Sequence, residues 1–109
     1  MAFCAALVSL QYYISYESDL QYSLMEIGQQ RQKLAYQSSA LAMSAASDPE
    51  VILADNPTYQ ALAWRDKQYE QQQKMLETQL SVASSQRESL QKLVDDKAKN
   101  DMKINFGGS

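Results

Sequence analysis

The sequence predicts an all-α fold: a long antiparallel two-helix hairpin, coiled-coil-like, with a short Pro-containing connection. Three observations predict it. Only 3 Gly and 2 Pro occur in 109 residues, so residues that break a helix are scarce. Apolar residues recur every seven positions in two separate stretches, the spacing of a helix that buries one stripe against another. Both prolines, Pro49 and Pro57, lie close together between those stretches, where the chain has to reverse.

The first arm is expected over residues 2–46, which contain no Pro and a single Gly, Gly28. Leu20, Ile27, Leu34 and Leu41 fall at sevens, Tyr13 lies one interval earlier, and Leu24 widens the stripe into a seam for a partner helix. Gly28 costs about 1 kcal/mol of helix stability relative to Ala and is read either as a point of close helix approach or as a weak point. One segment competes with this scheme. Val8, Leu10, Tyr12, Ile14 and Tyr16 alternate with Ser9, Gln11, Tyr13 and Ser15, a period-two pattern that suits a strand. Helix is preferred here, because no turn residue separates the segment from the rest of the arm and no second strand candidate exists to pair with it.

The connection is expected over residues 47–56. Ser47 and Glu50 have capping-box spacing, and in Ser47-Asp48-Pro49-Glu50 the proline suits a first helical turn. A second start comes almost at once: Asn56 can cap a helix whose first turn contains Pro57, which leaves Glu50 to Ala54 as at most a short helical turn. The second arm is expected over residues 57–104. Leu62, Tyr69, Leu76, Ala83 and Leu90 again fall at sevens, supported by Leu80 and Val94. Its outer face offers Glu70 with Lys74, Glu88 with Lys92 and Asp95 with Lys99, each acid four residues ahead of its base. The tail, 105–109, is expected to leave the helix, and Gly107-Gly108-Ser109 has linker composition.

Composition excludes several kinds of function. With no His, one Cys (Cys4) and few Gly, the usual bases, ligands and phosphate-cradling loops are nearly absent, so no catalytic residue, cofactor or metal is expected. Asp95-Asp96 is offset by Lys97 and Lys99 and reads as a solvated helix face, while Ser84-Ser85 has no His to activate it. A lone Cys4 cannot close an intrachain disulfide and reads as a small packed residue. Ten basic residues against thirteen acidic ones, interleaved, do not suit nucleic acid. No small-molecule substrate is implied either.

Residues 1–16 carry no side-chain charge, but a spanning helix needs roughly 20 mostly apolar residues, and Ser9, Gln11 and Ser15 interrupt this run. A membrane-surface helix would carry Lys or Arg on its polar face, and none occurs here, so membrane contact is not expected. A cleavable signal would carry basic residues ahead of its apolar stretch. None occurs here, so a chain that leaves the cell is expected to do so by a route that does not clip it.

Charge is distributed unevenly. Residues 1–46 hold five charged side chains, Glu17, Asp19, Glu26, Arg31 and Lys33, and residues 47–109 hold the other 18. The stretch through Phe3, Leu7, Val8, Leu10, Tyr12, Tyr13, Ile14 and Tyr16 is apolar or aromatic nearly all round, more than one partner helix can cover. These residues are expected to pack among neighbouring copies. Trp64 is read as a further contact, either across the hairpin or between subunits. The partner implied is the protein itself: a self-assembling helical filament or tube with the apolar N-terminal helix inside and the charged C-terminal helix outside. The alternative is a cytoplasmic helical adaptor or export chaperone that hides the same surfaces in a closed dimer or four-helix bundle.

A helix, the turn Ser47-Asp48-Pro49, a second amphipathic helix and the ending Ile104-Asn105-Phe106 together resemble the small hairpin subunits of type III secretion needles. Flagellar axial proteins are similar in using long terminal helices as the inner wall of a tube. The resemblance implies a subunit exported unfolded, without signal cleavage, that polymerises by its hairpin.

Overall fold

A computed structural model describes residues 2–47 and 52–107, with side chains placed over 3–47 and 52–101. The order of elements is helix α1 (Ala2–Ala46), a 3-10 turn (Leu53–Asp55) and helix α2 (Pro57–Gly107). No strand occurs among the described residues. The chain divides into two compact units. One joins the residues up to Gln21 with those from Thr78 onward, and the other is Tyr22–Glu77.

Within the first unit, Ala6, Leu10 and Val94 form the core, with Phe3, Leu7 and Leu90 packed against it. Within the second, Leu34 is buried, and Arg31 reaches Asp66 and Gln73 across the helix pair. In each unit α1 numbers rise as α2 numbers fall: Leu10 packs with Val94 and Glu17 bonds Arg87, while Arg31 reaches Asp66 and Ser44 shares a groove with Thr58, which is antiparallel packing.

Residues 8–16 are helical. The period-two alternation is present, yet Phe3, Ala6, Leu10 and Tyr13 also follow the 3-4 spacing of a helix, and all four are buried or half-buried. A helix satisfies its own backbone, whereas a strand here would have no neighbour to pair with.

The connection closes on local hydrogen bonds. The amides of Asp55 and Asn56 donate to the carbonyls of Ile52 and Leu53, both at 3.1 Å. Asn56 then caps α2: its Oδ1 accepts from the amides of Thr58 (2.8 Å) and Tyr59 (3.3 Å), and its carbonyl accepts from the amide of Gln60 (3.0 Å). Pro57 takes the first helical position, where its missing N–H is not needed. The Ser47 hydroxyl donates back to the Ser44 carbonyl at 2.7 Å, satisfying an acceptor in the last turn of α1. The rest of the expected capping box, Asp48, Pro49 and Glu50, lies outside the described residues.

Two expectations are corrected. The tail does not leave the helix at Asn105; α2 runs on through Gly107. No proline comes after Pro57, and Asn105 and Phe106 cost only about a few tenths of a kcal/mol each, with the costlier Gly107 confined to the last position. The close-approach reading of Gly28 also fails, since a Cβ built there would meet nothing within 4 Å. Gly28→Ala is therefore expected to stabilise the fold by about 1 kcal/mol, raising the melting temperature by roughly 4–8 °C in dilute solution. Thermal unfolding monitored by circular dichroism measures this, and an unchanged or lower midpoint contradicts it.

Candidate assembly interface

None of the residues anticipated for the seam is exposed. Leu20, Leu34, Ala83 and Val94 are buried, and Ile27, Leu41, Leu62, Tyr69, Leu76, Leu80 and Leu90 are half-buried. A second line accompanies them on each helix. On α1 it runs Phe3, Leu10, Glu17, Leu24, Arg31 and Ser38, and on α2 Tyr59, Asp66, Gln73, Leu80, Arg87 and Val94, all buried or half-buried. Counting only apolar residues hides this line, because polar side chains interrupt it. Counting every residue at intervals of seven exposes it.

Those polar side chains meet across the pair. Arg31 donates from Nε and Nη2 to the two carboxylate oxygens of Asp66 (3.0 and 3.3 Å) and from Nη1 to Gln73 Oε1 (2.7 Å). The hydrogen bond to Asp66 raises the Arg31 pKa above its ordinary value; burial opposes the shift, and the charges of Asp66 and Glu70 add to it. In the other unit Arg87 Nε donates to Glu17 Oε2, and Glu17 is the more enclosed partner, with 15% of its side chain exposed. Two heptads separate Glu17 from Arg31 and Gln73 from Arg87, so the paired residue numbers add to the same total in both contacts, as antiparallel packing requires. Each ion pair keeps a half-exposed guanidinium, so its net contribution to stability is modest, about 1 kcal/mol or less.

The residues anticipated for self-assembly divide into two groups. Val8, Tyr12, Ile14 and Trp64 are exposed, and Phe3, Leu7, Tyr13 and Tyr16 are half-buried. Leu10 is a correction: at 4% exposure it belongs to the core with Ala6 and Val94, where Phe3 and Leu7 also pack. It lies one heptad before Glu17, on the line hidden by polar residues. Trp64 is 65% exposed, so the reading that places it across the hairpin fails as well. Tyr12 stands edge-on to Tyr13 (centroids 5.3 Å apart) and stacked with Tyr16 (6.1 Å), which fixes an aromatic cluster on α1.

Around these residues the outer faces of the two helices differ. On α1, Glu17 and Arg31 are engaged with α2, so the exposed charges are Asp19, Glu26 and Lys33, one line of sevens. The same helix exposes Val8, Tyr12, Ile14, Tyr22, Met25, Tyr36 and Met43. On α2 the exposed large apolar residues are Trp64, Met75, Val82 and Leu93, set among many charges. Lys74 pairs with Glu70 at 3.2 Å as anticipated. The other two anticipated pairs do not form: Glu88 lies 3.9 Å from Arg87, and Asp95 accepts from Gln91 at 3.1 Å.

No family model, curated protein or solved structure matches this chain. Among the described residues no helix is long and apolar enough to cross a membrane, and no group of three or more Cys, Asp or Glu could hold a metal ion. A groove of about 610 Å³ lies in the Tyr22–Glu77 unit, and its charged members Arg31 and Asp66 are bonded to each other.

One titration reports on the outer face of α1. The Tyr22 pKa is raised above its ordinary value, first by the hydrogen bond to Glu26 and then by that carboxylate's charge and slight desolvation. A raised folded-state value favours the protonated phenol, so this contribution is present below the unfolded pKa and is lost as pH rises through the folded one. Glu26→Gln is expected to bring the Tyr22 midpoint down toward that of a free tyrosine, as read by NMR titration of the Tyr22 ring. An unmoved midpoint contradicts the Glu26 contact.

Proposed function

We propose that this protein is a structural subunit that assembles with copies of itself into a helical filament or tube, with α1 on the inside and the charged α2 outside. One observation carries the reading: α1 leaves seven large apolar side chains exposed beside only three exposed charges. Scattered exposed apolar residues are ordinary on a soluble protein. A helix whose outward face is nearly free of charge along its length is a surface suited to a neighbour. The resemblance to type III needle subunits supports the same reading, and with it export without signal cleavage to the cell surface or beyond. On this view the role is mechanical, without catalysis, cofactor, small-molecule substrate or nucleic acid.

Negative-stain microscopy and sedimentation of the purified protein test this directly. Elongated particles that grow with concentration are expected, and Ile14→Asp is expected to shorten or abolish them. A uniform small oligomer at high concentration, unchanged in size by Ile14→Asp, rules the filament out. A dimer that co-purifies stoichiometrically with another protein identifies the adaptor or chaperone instead.

A further inference from the structure

Within the Tyr22–Glu77 unit, the side of α1 turned away from α2 is itself built like a seam. Tyr22, Gln29, Tyr36 and Met43 recur at sevens, and Met25, Gln32 and Ser39 interleave at the complementary spacing; every one is exposed and none is charged. One edge of this stripe carries the pair Glu26 and Lys33, opposite in sign and one heptad apart, both exposed. The other edge carries Gly28, Ala35 and Ala42, with no charge, and borders the groove that Gly28, Gln32 and Ala35 line together with α2. Neither Glu26 nor Lys33 bonds to α2.

These edges choose the orientation of a partner helix. In a parallel pair the charged edge of one copy lies against the uncharged edge of the next, and both charges are left unmatched. In an antiparallel pair each edge meets its own counterpart. Glu26 then faces Lys33 of the second copy and Lys33 faces its Glu26, two equal contacts about a twofold axis near Gln29. The same arrangement sets Tyr22 beside the second copy's Tyr36, two more ring contacts. We propose that the outward face of α1 from Tyr22 to Tyr36 is a self-association surface, and that it binds a second copy of this chain antiparallel, matched by Glu26 and Lys33. The inference rests on the reading that other copies cover α1, and it adds that the repeating unit is a twofold pair, so that an assembly built from it has equivalent ends.

Sedimentation equilibrium at low micromolar concentration, below the onset of larger assembly, reads the pair. The wild-type protein is expected to be a dimer. Glu26→Lys sets lysine against lysine at both contacts and is expected to raise the dimer dissociation constant about tenfold or more, while the helical signal by circular dichroism stays unchanged because both positions are exposed. Glu26→Lys with Lys33→Glu restores the pairing and is expected to restore the dimer. Orientation is read by disulfide formation in a Cys4→Ser background: Gln29→Cys is expected to cross-link to its own counterpart and Met43→Cys is not. A wild-type monomer, a Glu26→Lys dimer of unchanged affinity, or cross-linking of both Gln29→Cys and Met43→Cys to themselves overturns the proposal. Fibres that persist in Glu26→Lys without loss overturn the pairing and leave the filament standing. Twofold dimers that never form fibres support the pairing and overturn the filament.

Discussion

Leu10→Asp is expected to unfold the unit that contains it, while Val8→Asp, two residues away on the same helix, leaves that unit folded. Leu10 is 4% exposed and packs with Ala6 and Val94, whereas Val8 is 66% exposed. Replacing a buried leucine by a carboxylate removes the apolar contact and desolvates a charge with no partner, together costing about 3 kcal/mol or more. In a core this small that corresponds to a fall in melting temperature of roughly 12 °C or more. Val8→Asp is expected to change stability by about 0.5 kcal/mol or less, as surface substitutions do. If the exposed apolar surface of α1 drives assembly, Val8→Asp nonetheless reduces particle size. Thermal melts and sedimentation on the two variants separate folding from association. Equal melting temperatures contradict the placement of Leu10, and full assembly by Val8→Asp weighs against the filament.

Arg31→Leu combined with Asp66→Leu and Gln73→Leu is expected to be more stable than the wild type and less uniquely folded. A seam of apolar residues at sevens looks nearly the same after a shift of one heptad, so apolar packing alone defines the register weakly. In the Tyr22–Glu77 unit, a one-heptad shift of α2 in either direction would remove Arg31 from Asp66 or from Gln73, breaking the contacts at 3.0 and 2.7 Å. Replacing such a polar cluster by packed apolar side chains typically gains about 1 to 4 kcal/mol, and the partial exposure of Arg31 and Asp66 sets this case toward the lower end. A higher melting point together with several sets of methyl resonances is the expected result. One set of resonances in the triple variant shows that apolar shape alone defines the register. The single change Asp66→Leu leaves Arg31 with Gln73 and is expected to cost about 1 kcal/mol.

Legibility in the sequence differs by position. The two arms, the Asn56-Pro57 start and the eleven seam residues come from spacing and capping, because a helix repeats its faces every seven residues and a cap needs one side-chain oxygen in one place. The cost of Gly28 is likewise local. Leu10 escapes such reasoning for a cause that is equally physical. An apolar run that surrounds the helix on every side does not say which residues α2 will cover, and α2 covers Phe3, Ala6 and Leu10 while leaving Val8 and Tyr12 exposed. Trp64 poses the same ambiguity, with its ring free to turn inward or outward until the phase of α2 is known.

Sequence alone, then, determined that this protein is two long helices with a capped reversal and matching apolar seams, since helix propensity, heptad spacing and capping act between residues close in the chain. Only the tertiary structure decided which charges are interior. Glu17 and Arg31 look like ordinary surface residues until α2 brings Arg87, Asp66 and Gln73 within hydrogen-bonding reach. That contact spans residues far apart in the chain, and it is set by the rotational phase of two helices against each other, which neither helix carries by itself.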